Sequence, residues 1–241
     1  MQLERAKRIL SCARRAITDY SLIEDGDKIA VGISGGKDSL TLLCALASLR
    51  EFLPEKFEVE AITIDMGLPD MDFAPIRDFC DEIGVPYTVI PTEISKIIFD
   101  YRHESNPCAL CAKMRRGALN RAAAERGCNK VALGHHMDDA VETFMMNLLN
   151  EGRIGCFQPK TYLSDTKVTV IRPLVYLKES DVSYFVRGNA LPVVETTCPA
   201  DSHTDRERMK KMLADMEKAD KGVRHRIFTA MRKAGIDGWK L

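Results

Sequence analysis

The stretch Lys28-Ile-Ala-Val-Gly-Ile33, running directly into Ser34-Gly-Gly-Lys-Asp-Ser39, decides the architecture of this chain. An apolar run of strand length is followed by two glycines and a lysine. A helical pattern then extends from Asp38 to about Arg50. Amides at a helix N-terminus have no partner within the helix and point at anions. Gly35 and Gly36 let the backbone approach a phosphate and take positive φ. Lys37 supplies a point charge, and Ser34 and Ser39 supply hydroxyls. The spacing matches neither the Walker A loop nor the dinucleotide Gly-x-Gly-x-x-Gly. Asp38 would repel a phosphate unless a cation such as Mg²⁺ lay between them. The plainer alternative is a glycine turn in which Ser34 or Asp38 caps the helix.

Outward from this stretch, strand and helix alternate. Residues 2–20 carry an amphipathic stripe. Strands are expected at 58–64, 86–90, 130–133 and 169–171. Helices are expected at 72–83, 93–100, 108–127, 138–150 and 179–189. Residues 103–107 read as a loop, and the polar, glycine-containing segment 152–167 as the most mobile one. The tail from 203 to 234 reads as two basic helices split near Gly222. This alternation implies an α/β fold with a parallel sheet covered on both faces, whose ligands bind at the carboxyl ends of the strands. The motifs fall there: 34–39 after the first strand, Asp65 after the second, 134–139 after the fourth. The expected division is an N-terminal helix (1–25), one α/β domain (26–200) and a basic helical extension (201–241).

With 241 residues, 45% hydrophobic and 29% charged, the chain is long enough for one sizeable core and is not compositionally disordered. No apolar run reaches a membrane span and no signal-peptide core follows Met1, so the expected location is the cytoplasm, with no membrane partner. Thirty-five basic residues balance 35 acidic ones. The balance conceals segregation. Residues 50–82 are acidic, whereas 102–130 and 206–233 are basic, as is the N-terminus through Arg5, Lys7, Arg8, Arg14 and Arg15. Each cluster alone reads as a solvated helix face, but together they leave room for a polyanion.

Eight cysteines are too few for a disulfide scaffold at this length. Pro107-Cys108-Ala-Leu-Cys111 opens a basic helix and puts two sulfurs on one face. Cys198 in Thr196-Thr-Cys-Pro199 is a third candidate. The residues alone leave four readings open: a redox pair, a zinc site completed by His103 or His203, inert packing, or a three-cysteine iron–sulfur site. Cys12, Cys44, Cys80, Cys128 and Cys156 read as packing. In Gly134-His-His-Met-Asp-Asp139, Asp138 or Asp139 is a candidate for Mg²⁺ or nucleotide, or else for a helix cap. The two histidines are expected on the surface or one shell away from the chemistry.

Ser34-Gly-Gly-Lys-Asp-Ser39 resembles the PP-loop of the ATP pyrophosphatase, or adenine nucleotide alpha-hydrolase-like, superfamily. Adding Cys108-x-x-Cys111-x3-Arg115, Gly134 to Thr143, Ile171-Arg-Pro-Leu174 and Cys198-Pro, residues 26–217 look most like the tRNA 2-thiocytidine biosynthesis branch. That resemblance implies a three-layer PP-loop fold and ATP cleaved between its α and β phosphates. It implies adenylylation of a pyrimidine C2 carbonyl in tRNA, with cytidine as the expected base. It also implies a [4Fe-4S] cluster on Cys108, Cys111 and Cys198, one iron being left open for sulfide. The expected catalytic set is Asp38, Cys108, Cys111 and Cys198, with Mg²⁺ on Asp38. The expected nucleotide set is Ser34, Gly35, Gly36, Lys37, Asp38, Ser39, Ile64, Arg115, Gly134 and Asp139. A sulfide or persulfide carrier and a second copy of the chain complete the expected partners. The alternatives are a lysidine-synthetase-like enzyme, a desulfidase using the same cluster, and a non-catalytic ATP- and RNA-binding module. One departure is visible: Pro199-Ala-Asp-Ser-His-Thr-Asp-Arg206 stands where members of that branch often carry a further cysteine.

Overall fold

The computed structural model describes residues 4–102, 107–194, 197–198 and 205–240. Its centre is a six-stranded sheet in the order β3-β2-β1-β4-β6-β5. The strands are β1 Asp27–Gly32, β2 Phe57–Asp65, β3 Tyr87–Pro91, β4 Lys130–Ala132, β5 Lys160–Leu163 and β6 Val168–Ile171. All neighbouring pairs are parallel except β5–β6. The parallel strands are nearly continuous apolar runs because helices cover both faces. The chain builds β1, β2 and β3 toward one edge and then crosses to β4 on the other side of β1. The switch point therefore lies between β1 and β4, where a crevice opens at the carboxyl ends.

On one face pack α1 Ala6–Tyr20, α2 Lys37–Phe52, α3 Ala74–Glu82, α6 Met137–Asn150 and α7 Glu179–Gly188. Ile9, Ala13, Ala16, Ile17 and Tyr20 of α1 recur at helical spacing and are all buried. The other face carries α4 Ile94–Lys96, a π turn Ile97–Arg102, and α5 Pro107–Glu125. Leu119, Ala122 and Ala123 of α5 close a smaller core over Ala30, Ile62 and Val131. Helices α8 Asp205–Ala219 and α9 Val223–Lys233 pack against α6. Among the described residues no helix is long and apolar enough to cross a membrane.

Three expectations need correction. The segment 152–167 contains β5, which pairs Lys160 with Ile171 and Leu163 with Val168. A four-residue edge strand with an exposed tyrosine carries little apolar alternation, so its pairing is a tertiary fact. Pro107 belongs to the helix rather than the loop, because a first-turn proline lacks only an N–H that would have no partner there. Lys130, counted with the basic run, is buried. Its Nζ lies 2.6 Å from Asp27 and donates to the Leu22 carbonyl at 2.9 Å.

The chain end is a hook. Trp239 is 1% exposed, meets Phe228 edge-on at 5.3 Å, and donates from Nε1 to the Phe157 carbonyl at 2.8 Å. Trp239→Ala should therefore lower unfolding free energy by about 3–5 kcal/mol in urea titrations. A loss below about 1 kcal/mol would mean the hook is not part of the core.

Candidate active site

The Ser34–Ser39 turn leaves β1 and enters α2. Gly35 takes φ +85°, in the region that favours glycine, whereas Gly36 is extended at φ −77° and caps α2 with no side chain. The first amides of α2 therefore stay available to a ligand, and neither Ser34 nor Asp38 is the cap. The Ser39 hydroxyl donates to the Gly36 carbonyl at 2.9 Å and holds the turn shut. Oδ1 of Asp38 is buried with no hydrogen-bond partner, while Oδ2 accepts from Lys37 Nζ at 3.2 Å. A buried carboxylate oxygen left open beside an anion turn suits a hard divalent cation such as Mg²⁺.

The second turn, between β4 and α6, is pressed onto the first. A Cβ on Gly134 would stand 2.9 Å from the carbonyl carbon and oxygen of Asp38. His136 then caps α6: its Nδ1 accepts from the Asp139 amide, and its own amide donates to Asp139 Oδ2. His136 is 4% exposed, with Nε2 3.7 Å from Asp38 Oδ1. It is thus a buried support of the anion turn, one shell away from the phosphate site rather than on the surface. His135 faces the cavity, stacks on Phe157 at 5.0 Å, and accepts at Nδ1 from Arg172 Nε at 3.3 Å. Burial first, then the Arg172 charge, push its pKa down to about 4. The ring is neutral at pH 7, so its proton sits on Nε2.

Two cavities adjoin at these turns. One, of about 500 Å³, is lined by Ser34, Asp38, Ser39, Gly134, Asp139 and Arg206, among others. Its neighbour, of about 380 Å³, is lined by Ser34, Gly36, Asp65, Cys108, Cys111 and Cys198. Ile33, Ser34, Ile64, Ala112 and Arg115 line both. Arg116 reaches only the larger one. Cys198 arrives through two anchors: the Val194 amide donates to the Gly35 carbonyl at 3.0 Å, and Thr197 Oγ1 to Pro69 at 2.9 Å. The Cys111 thiol contacts the Met66 sulfur at 3.5 Å. Burial raises the Cys111 pKa, Arg115 opposes this, and Cys198 and Cys108 add to the rise. Cys108 and Cys198 therefore each lie within electrostatic reach of Cys111. Among the described residues no three His, Cys, Asp or Glu side chains already stand at metal-ligand spacing. Three thiols nevertheless line one cavity, and thiolate is the donor type that iron–sulfur clusters take. His103 and His203, the candidate fourth ligands, lie outside the described residues. The other five cysteines all have pKa values raised by burial, Cys44, Cys80 and Cys156 to about 12.

A charge network not foreseen from the sequence ties α8 and α9 to both turns. Lys37 is shared between Asp38 and Glu179, each at 3.2 Å, and Glu179 also holds Lys210 of α8 at 2.8 Å. Burial alone would lower the Lys37 pKa, but the two carboxylates outweigh it and hold it above its ordinary value. Burial raises Glu179, yet Lys210 and Lys37 bring it down to about 2. Arg206 reaches Asp139 at 2.9 Å, and Arg224 reaches Asp138 at 3.1 Å. Asp138 also accepts from the Glu179 amide at 2.8 Å. Its two oxygens are thus committed to the fold rather than open to Mg²⁺. The only sequence signal for these partners was the basic tail, which carries no information about direction.

A mostly parallel sheet whose first strand ends in this anion turn, with a second glycine turn against it, defines a class, and the chain belongs to it: the PP-loop domain family matches residues 6–217. Particular relatives are narrower in chemistry. The chain is 41% identical over 230 residues to the tRNA-cytidine(32) 2-sulfurtransferase of Geobacter sulfurreducens, covering 94% of this chain and 90% of that protein. It is 42% identical over 228 residues to the protein of the same name from Geotalea daltonii, covering 93% and 90%. Among solved structures it is similar to the U34-tRNA thiolase NcsA from Methanococcus maripaludis with its [4Fe-4S] cluster. The TM-score is 0.77 at 25% identity, covering 95% of this chain and 79% of that one.

Two outcomes test the geometry. Gly134→Ala presses a methyl against the Asp38 backbone and should cost about 1–3 kcal/mol of stability, together with most nucleotide affinity by calorimetry. Unchanged ATP affinity would show that the two turns are not coupled. Because the Glu179 pKa is depressed in the folded state, its contribution is complete above about pH 4.5 and fades as pH falls toward 2. The stability gap between the native protein and Glu179→Gln should therefore shrink over that window in pH-dependent melts.

Proposed function

We propose that this protein is an ATP-dependent tRNA sulfurtransferase that converts a cytidine, at position 32 as in its relatives, to 2-thiocytidine. The observation that carries this reading is the pair of adjoining cavities: an anion turn in one, three cysteines in the other, with Arg115 and Ile64 between them. The amides of Gly35, Gly36 and the first turn of α2, with Lys37, Ser34 and Ser39, hold the phosphates of ATP. Ile64 and Gly134 border the nucleoside, and Asp139 sets Arg206 beside it. Asp38 would hold Mg²⁺, which supplies charge neutralisation on the phosphates. Cys108, Cys111 and Cys198 would hold a [4Fe-4S] cluster, which supplies a carrier position for sulfide.

The base O2 attacks the α-phosphorus of ATP, the bond to the bridging oxygen breaks, and pyrophosphate leaves. Negative charge grows on pyrophosphate, and Lys37, the loop amides and Arg115 stabilise it there. The adenylylated C2 then accepts sulfur, and AMP leaves with the former O2. A sulfide carrier donates the sulfur as hydrosulfide, whose proton is lost as the thiocarbonyl forms; a persulfide carrier would also need a thiol to reduce the disulfide left between it and the base. Two protein copies per assembly, a cytoplasmic location and a basic helical extension at 201–241 complete the proposal.

Pyrophosphate release measured with candidate tRNA, alongside mass spectrometry of its nucleosides, tests this directly. Asp38→Asn should lose both signals, by about 10²–10³-fold in rate. Cys198→Ala should lose thiolation while tRNA-dependent pyrophosphate release persists. Full thiolation by Cys198→Ala would remove the cysteines from the chemistry.

A further inference from the structure

A third cavity, of about 340 Å³, lies where both chain ends meet the catalytic end of the sheet. Arg8 and Arg15 of α1, Lys178 just before α7, and His225 and Arg232 of α9 all line it, and no carboxylate does. In a chain of zero net charge, the four Arg and Lys side chains around one cavity repel each other unless an anion is shared, and His225 adds a hydrogen-bonding ring. The guanidiniums are positioned largely by rings. Arg15 lies over Tyr176 at 4.5 Å, and Arg232 lies over the same ring at 4.7 Å. Rings hold a cation in place without neutralising it.

The charges facing the cavity from outside only partly offset this. Asp181 reaches Arg8 at 3.5 Å, and Asp19 reaches Arg15 at 3.5 Å while accepting from the Tyr176 hydroxyl at 2.8 Å. Glu217 accepts from the Gly222 and Arg224 amides and also feels the Lys178 charge, and Asp138, Glu179 and Glu217 line an adjoining cavity together with Lys178 and His225. Arg232 spends donors on the Lys240 carbonyl and the Tyr176 oxygen. Lys178 and His225 are exposed and form no ion pair with a described residue. Lys178 directly precedes Glu179, which pairs with Lys37, so the cavity stands on the same end of the molecule as the anion turn.

We propose that this cavity is a phosphodiester-binding site that grips the tRNA backbone away from the reacting base, a proposal that rests on the tRNA sulfurtransferase reading above. Arginine, lysine, histidine and tyrosine donors of this kind fix the register of a nucleic acid through its phosphates and carry no base preference.

The test is tRNA binding by the intact protein, followed by fluorescence anisotropy across a KCl series. The double variant Lys178→Glu/His225→Glu changes only exposed side chains and should bind at least tenfold more weakly. Its slope of log affinity against log salt should be shallower by about 1, the loss expected for one lysine–phosphate contact. Lys218→Glu, on the exposed face of α8, should match the native protein. ATP affinity should be unchanged in both variants. Native tRNA affinity and slope in the double variant would overturn the proposal alone, as would loss of inorganic phosphate binding with tRNA binding intact. A native protein that binds no tRNA would overturn the sulfurtransferase reading and the proposal together.

Discussion

The backbone of Asp38 leaves no room for a side chain at Gly134, and that contact between two turns organises the catalytic end of the molecule. It joins the ends of β1 and β4, the two strands flanking the switch point. With the turns touching, His136 can cap α6 and still stand beside the Asp38 carboxylate. The same proximity brings Glu179, at the start of α7, to Lys37. Bulk at position 134 would separate the turns, and with them the anion loop from its buried support.

Around that contact the charges are arranged to stay paired inside and unpaired at selected openings. Lys130 with Asp27 fixes the amino ends of β1 and β4, away from the anion turn. At the carboxyl ends Lys37, Glu179 and Lys210 form a chain, and Asp138 and Asp139 take Arg224 and Arg206. The terminal helices are thereby held by the same carboxylates that border the nucleotide cavity. Much of the basic tail faces inward, and the basic cavity beside α1 and α9 is where cations remain without carboxylate lining.

Much of the fold was legible in the sequence because its signals are local. The run Lys28–Ile33 could only be a buried strand, and Gly35 at positive φ satisfies a demand visible in the glycine pair itself. The thiol pair at 108 and 111 was legible from helical spacing. Strand β5 was not, since an edge strand with one wet face is specified by its partner rather than by its own pattern. Nor was Gly36 legible as a cap: either glycine of the pair could have taken the left-handed conformation. Asp138 and Asp139, adjacent and chemically identical, have different partners that only the positions of α7, α8 and α9 assign.

The sequence by itself determined the anion turn, the order of strands and helices apart from β5, and the chemical types available at the site, because propensity, periodicity and backbone freedom act over a few residues. Only the tertiary structure decided that Cys198 would meet Cys108 and Cys111 over one cavity. The Val194 and Thr197 anchors join segments more than a hundred residues apart along the chain. It also decided which basic residues are spent on internal ion pairs and which face solvent. Charge pairing depends on distances that close only when the helices pack.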